Sequence, residues 1–184
     1  LAWSRGLGDV YKRQQQASSG TTPKAHVVGV ADMVVLKGPA AEIVTHALGS
    51  CIGVTIYDPT THVGGMLHFM LPDSKINSEK ATDNPAMFAD TGIPNLFKQA
   101  YELGATKENL IVCAAGGAEV LSDGGHFKIG SRNRTVLRKI FWKNNVLLSA
   151  DDTGGNNSRT LHLSLADGTV TVRHRGKGEV LWPI

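Results

Sequence analysis

Two stretches of this chain carry side chains able to do covalent chemistry. Cys51 closes the run Thr45-His46-Ala47-Leu48-Gly49-Ser50-Cys51, and His68 lies within Gly64-Gly65-Met66-Leu67-His68-Phe69-Met70-Leu71-Pro72. A thiol and an imidazole that meet in the fold form a nucleophile and its base. The small residues Gly49 and Ser50 leave the backbone beside the thiol accessible to a substrate. The chemistry these residue types point to is that of a cysteine hydrolase.

Directly opposed residues of an antiparallel pair share a sheet face, which tests whether the two groups can meet. Cys51 to Tyr57 has strand character, Asp58-Pro59-Thr60-Thr61 supplies turn chemistry, and the chain returns through Val63 to Leu71. Residues 51 to 71 therefore read as a hairpin. With Tyr57 opposite Gly64, Cys51 falls opposite Met70 and His68 lies diagonal to it on the same face. Such diagonals are about 7 to 8 Å apart, within side-chain reach. A slip of one residue would send the groups to opposite faces.

The remaining elements must hold that hairpin. His26 to Leu36 gives short apolar runs broken by Gly29 and Asp32, a strand pattern, and Lys37-Gly38-Pro39 marks a turn. Glu42 to Leu48 reads as a further strand. Asn84 to Gly104 has apolar spacings of three and four, predicting an amphipathic helix kinked or divided at Gly92 and Pro94 and stopped by Gly104. Asn109 to Ala115 reads as a buried strand ended by Gly116-Gly117. Ser131 is expected to cap a helix through Val136, Leu137, Ile140 and Phe141. Strands are expected over Val146 to Ala150, Thr160 to Leu165 and Thr169 to His174, the last two joined at Asp167-Gly168. This order of elements predicts an α+β fold with many strands and two main helices.

The 184 residues, 41% of them hydrophobic, suit one core, so residues 25–184 are expected to form a single domain. Residues 1–24, rich in Gln, Ser, Thr and Gly, read as a disordered or artefactual N-terminal tail; Leu7 to Gln14 looks like translated adapter sequence. Nineteen basic and 16 acidic residues are interspersed without a block of like charge, so neither a nucleic-acid partner nor membrane insertion is expected. With only two cysteines, Cys51 and Cys113, a reducing cytoplasm is the expected compartment, and a disulfide between them is disfavoured. Cys113, flanked by Ile111, Val112 and Ala114, reads as a core thiol. The remaining histidines lack metal-ligand spacing, so no metal or other cofactor is expected.

Thr45 to Cys51, the Gly-Gly-Met-x-His-Phe-Met-Leu-Pro stretch ending at Pro72, and Ile129-Gly130-Ser131-Arg132-Asn133 together resemble the CheD family of chemoreceptor glutamine deamidases. Phe88-Ala89-Asp90, Gly116-Gly117-Ala118 and Asp152-Thr153-Gly154-Gly155 followed by Asn156-Asn157-Ser158-Arg159 extend the likeness over about residues 26 to 176. The resemblance implies a layered sandwich of strands with helices outside, related to the deamidases of the cytotoxic necrotizing factor type. It also implies a catalytic set of Cys51, His68 and Thr45. Cys51 would attack a glutamine carboxamide on a methyl-accepting chemoreceptor, passing through a thioester to glutamate and ammonia. The imidazole is expected to lower the thiol pKa, Thr45 to orient His68, and Gly49 and Ser50 to bind substrate, with the Cys51 N–H and the Ser50 hydroxyl as candidate oxyanion donors.

A CheC-type phosphatase is implied as a second partner. Another reading is a non-catalytic adaptor regulating such a phosphatase or the receptor array. Ala115 and Glu119-Val120, where relatives commonly carry Phe and Asn-Met, favour that alternative, and the intact set Thr45, Cys51 and His68 favours the enzyme. The Ile129 to Arg132 and Asp152 to Arg159 motifs are read as shaping the site or a partner surface, and Asp152 and Arg159 equally as a structural pair.

Overall fold

The computed structural model describes residues 24–119 and 128–183, and the expected tail lies outside them except for Lys24, which opens the first strand. The strands are β1 (Lys24–Val28), β2 (Asp32–Lys37), β3 (Ala41–Leu48), β4 (Ile52–Asp58), β5 (Val63–Phe69), β6 (Ile111–Gly116), β7 (Ala150–Thr153), β8 (Arg159–Ser164), β9 (Val170–His174) and β10 (Lys177–Trp182). The helices are α1 (Ser78–Asp83), α2 (Ala89–Glu102) and α3 (Ile129–Lys143). The strands form two five-stranded sheets, one in the order β1-β3-β8-β9-β10 and the other β2-β5-β4-β6-β7. This is the mixed α+β arrangement that the order of elements predicts.

The burial pattern shows how the layers stack. Every residue of β4 and β5 is buried, whereas β8 alternates between buried and half-buried positions. A strand buried throughout must be covered on both faces, and alternation marks a sheet with one face open. Ile43, Leu48, Met66, Leu161, Leu163 and Val172 fill the space between the sheets. Ile52, Val54, Ile56, Leu67 and Phe69 use the other face of the second sheet to pack on Ile93, Leu96 and Phe97 of α2 and Leu137 and Phe141 of α3. The layers are therefore sheet, sheet and helices.

The β4–β5 hairpin adopts the register expected from its turn: Tyr57 pairs with Gly64 and Gly53 with His68. Other boundaries differ. Gly92 and Pro94 do not divide the helix; the break comes earlier, at Phe88, which bridges to Leu71 and is followed by one continuous α2. Pro94 removes a single turn-to-turn hydrogen bond, while Ile93, Leu96, Phe97 and Ala100 hold the helix against the second sheet. Ser131 is not the cap of α3, which begins after Lys128. Gly130 sits so close to the carbonyls of Gly117 and Ala118 that only a residue without a Cβ fits, and this seat fixes the first turn. Val146 and Leu148 pack on the core from a loop, and the strand starts only at Ala150, where β7 aligns in parallel with β6. The edge strand β10, with its mostly exposed residues, had no apolar pattern to announce it.

Two glycines adjust this frame where the candidate residues lie. Gly53 faces His68 across the hairpin, and a Cβ there would stand 2.9 Å from Leu161 and 3.0 Å from Leu48 of the other sheet. Its bare backbone lets the sheets approach beside the imidazole. Gly116 ends β6 at φ +109°, a conformation that L side chains rarely adopt, and a Cβ would collide with the carbonyl oxygen of Cys51. Gly116→Ala is expected to lower the free energy of unfolding by about 3 kcal/mol, combining left-handed strain with overpacking. Denaturant titration measures it, and a change below about 0.5 kcal/mol would contradict the described contact.

Candidate active site

Thr45 stands in β3, opposite Val28 of β1 and Leu161 of β8. Immediately after it the β3–β8 register shifts, and Ala47 takes a left-handed φ of +57° before pairing resumes at Leu48 with Arg159. This bulge diverts the chain out of the first sheet. Gly49, Ser50 and Cys51 then cross to the second sheet, which they enter at Ile52. Cys51 thus lies one residue before the last paired rung of the hairpin, two residues before Gly53 and on the face carrying His68. It is half-buried and packs against the core between the sheets.

His68 is fully buried, and its Nδ1 lies 2.7 Å from Thr45 Oγ1. The same hydroxyl donates to the carbonyl oxygen of Val28 at 2.7 Å. A threonine hydroxyl has one hydrogen, and a carbonyl can only accept, so that hydrogen belongs to the Val28 contact. At His68 the hydroxyl oxygen is therefore the acceptor and Nδ1 carries the proton. Nε2 is left with a lone pair, buried and without a hydrogen-bond partner among the described residues. The chain Nδ1–H to Oγ1–H to Val28 carbonyl thus sets the tautomer required of a proton acceptor.

Burial also sets the charge state of both groups. It pushes the His68 imidazole down to about 4, so the ring is neutral at pH 7. Burial raises the Cys51 thiol above its ordinary value, opposed by its own backbone N–H, which favours the thiolate. The expected lowering of the thiol pKa by the imidazole is therefore reversed. A neutral ring gives no positive charge to stabilise a thiolate, and desolvation disfavours the anion. At rest the thiol is protonated and the imidazole neutral, and no hydrogen bond joins the two side chains.

The loop before Cys51 is held mainly through its carbonyls. Ala118 N–H donates to Gly49 O at 2.8 Å and Gly117 N–H to Cys51 O at 2.8 Å. Gly49 N–H is spent on Ala47 O at 2.8 Å, so Gly49 offers its backbone to the loop's path. The Ser50 hydroxyl and N–H make no hydrogen bond to a described residue, and the Cys51 N–H makes none beyond its own thiol. Asn133, inside α3, donates from Nδ2 to Ser50 O at 2.9 Å and to Met70 O at 3.0 Å, joining the nucleophile loop to the strand end beyond His68.

In the sequence Asn133 stands out only as the end of the Ile129 to Asn133 motif. A sharper signal was present: Gly130, Asn133, Leu137 and Phe141 are the buried residues of α3, so a polar side chain sits on its apolar stripe.

Asp152 and Arg159 do form a pair, and it supports the site from a distance. Arg159, 6% exposed, binds Asp152 through Nε at 2.9 Å and Nη2 at 3.3 Å, and donates to the carbonyls of Gly154 and Asn157. Gly154 N–H in turn holds Gly116 O, and Glu119 N–H holds Gly155 O, each at 2.8 Å. The ion pair shapes the turn that supports Gly116 to Glu119, which supports the Cys51 loop. Cys113 is fully buried and free, as is the half-buried Cys51, so no disulfide joins them.

A buried neutral histidine makes stability depend on pH. The folded value of about 4 lies below the ordinary 6.5, so the unfolded chain binds the proton first as pH falls. The contribution is complete above pH 6.5 and is lost as pH falls towards 4, on the order of 3 kcal/mol. Denaturation midpoints between pH 7 and 4 should fall less in His68→Asn than in the parent. Equal slopes would place a charged imidazole in the folded state.

The family described as "CheD chemotactic sensory transduction" matches residues 70–174, more than half of the chain. "Probable chemoreceptor glutamine deamidase CheD 1" of Syntrophus aciditrophicus (strain SB) is 51% identical over 150 residues, 82% of this chain and 94% of that protein. "Probable chemoreceptor glutamine deamidase CheD" of Solibacter usitatus (strain Ellin6076) is 48% identical over 157 residues, 85% of this chain and 93% of that protein. The protein of the same name from Pyrococcus horikoshii (strain ATCC 700860 / DSM 12428 / JCM 9974 / NBRC 100139 / OT-3) is 39% identical over 156 residues, 84% of this chain and 94% of that protein.

Proposed function

The chain belongs to the CheD family, and from that membership together with its site we propose that it is a chemoreceptor glutamine deamidase with Cys51 as nucleophile, His68 as base and Thr45 as orienting group. One observation carries the assignment of roles. The Val28 carbonyl consumes the Thr45 proton, so His68 presents an unprotonated Nε2 on the sheet face that Cys51 shares.

In the proposed reaction Nε2 takes the thiol proton as Sγ bonds to the carboxamide carbon of a receptor glutamine. The carbonyl oxygen becomes an oxyanion beside the N–H of Cys51, with the Ser50 hydroxyl as a further donor. Collapse breaks the carbon–nitrogen bond, and the proton on Nε2 leaves with the nitrogen as ammonia. A thioester remains on Cys51. Water then gives one proton to Nε2 and bonds to the thioester carbon; collapse expels the thiolate, which recovers the proton, and the product is glutamate. No step draws on a cofactor.

A neutral imidazole and a protonated thiol support general-base attack, which raises the nucleophile's charge only as the bond forms. The motif likeness supports three further parts of the reading: a relation to the cytotoxic necrotizing factor-type deamidases, a CheC-type phosphatase partner, and action in the cytoplasm. Among the described residues no helix is long and apolar enough to cross a membrane.

The purified chain incubated with receptor fragments should release ammonia and raise the fragment mass by about 1 Da per converted glutamine, with Cys51→Ala and His68→Ala inactive. Absence of both signals on cognate receptors would overturn the enzyme reading. Persistence in Cys51→Ala would overturn the nucleophile. Thr45→Ser keeps the relay and should retain most activity, while Thr45→Val, which leaves Nδ1 unpaired, should lower kcat by about 10²-fold or more. Equal rates for the two variants would remove Thr45 from the mechanism.

A further inference from the structure

Three successive carbonyls of the nucleophile loop are each claimed by a donor: Gly49 O by Ala118 N–H, Ser50 O by Asn133 Nδ2, and Cys51 O by Gly117 N–H. A trans peptide is planar, and its C=O and N–H point in opposite directions. A donor that holds the carbonyl of one residue therefore aims the N–H of the next. The grip on Gly49 O aims Ser50 N–H, and the grip on Ser50 O aims Cys51 N–H. Those are the two N–H groups of the loop that donate to no other described residue.

Among the three grips only that on Ser50 comes from a side chain. Asn133 is fully buried, and its second N–H is committed to Met70 O, two residues beyond His68. With both hydrogens spent on carbonyls the amide has one orientation, and Oδ1 is left buried without a partner among the described residues. A residue present only to fill the apolar stripe of α3 would avoid that orphaned acceptor. Its retention has a reason if the donated hydrogen bonds are what matters.

We infer that Asn133 is a positioning residue: by holding the Ser50 carbonyl it aims the Cys51 N–H at the oxygen that becomes negative when Cys51 attacks. The inference rests on the reading of Cys51 and His68 as the hydrolytic pair. It assigns to α3 a part in transition-state stabilisation although no residue of that helix need touch the substrate.

The test compares Asn133→Ala and the near-isosteric Asn133→Asp with the parent in the full chain, each assayed below its own melting midpoint and against the parent at the same temperature. Ammonia release from receptor fragments should show kcat reduced about 10²- to 10³-fold, the usual loss for one oxyanion donor, with KM unchanged within about twofold. Alkylation of Cys51 by iodoacetamide builds no oxyanion, so its rate and pH profile should stay within about twofold of the parent. Parent-like kcat in either variant overturns the inference. So does a parallel loss of deamidation and alkylation, which would mark Asn133 as support for the site in general. An inactive Cys51→Ala beside a fully active Asn133→Ala would overturn only the role of Asn133, whereas an active Cys51→Ala would overturn the reading beneath it.

Discussion

The hydrogen bond between Thr45 and His68 is the contact on which the site turns. It joins the two sheets through the layer between them, where an unpaired polar group is costly, on the order of 1 to 3 kcal/mol. Satisfying His68 Nδ1 there requires a partner from the other sheet, and satisfying the threonine proton requires the Val28 carbonyl of β1. The sheets must also approach closely at that point. Gly53 meets that requirement by contributing no side chain opposite the imidazole. Three strands and a bare glycine thus define where one ring nitrogen stands and which of its two tautomers it holds.

Around this contact Cys51 is placed by connections of a different kind. Cys51 belongs to the crossing between sheets, beyond the bulge after Thr45, where ladder pairing no longer fixes the backbone. Hydrogen bonds from Gly117, Ala118 and Asn133 substitute for the missing ladder, and Gly154, Gly155 and the Asp152–Arg159 pair hold the segment Gly116 to Glu119 that carries the first two donors. His68 is therefore fixed by sheet packing and Cys51 by a sequence of loop contacts. Residues 116–119, 133 and 152–159 act on Cys51 through its backbone.

Different parts of this arrangement were legible in the chain to different degrees. The β4–β5 hairpin could be read because a strong turn at Asp58 to Thr61 and apolar strands on either side leave little freedom of register. The convergence of Thr45 could not be derived that way, since it comes from the other sheet and depends on how closely the sheets pack. The start of α3 was misplaced because its determinant is the seat of Gly130 on Gly117 and Ala118, a contact between distant segments. Local cap chemistry at Ser131 gave no hint of it. The sign of the thiol shift was lost for a related reason: residue types suggest a thiolate–imidazolium pair, and only burial reveals that neither group is charged at rest.

Burial of His68 Nε2 has a consequence for the order of events in the proposed reaction. The ring reaches no solvent of its own, so a proton it takes up must be returned on the side where Cys51 and the substrate stand. In the proposed reaction the departing nitrogen and the incoming water would therefore exchange protons with one and the same ring atom, Nε2.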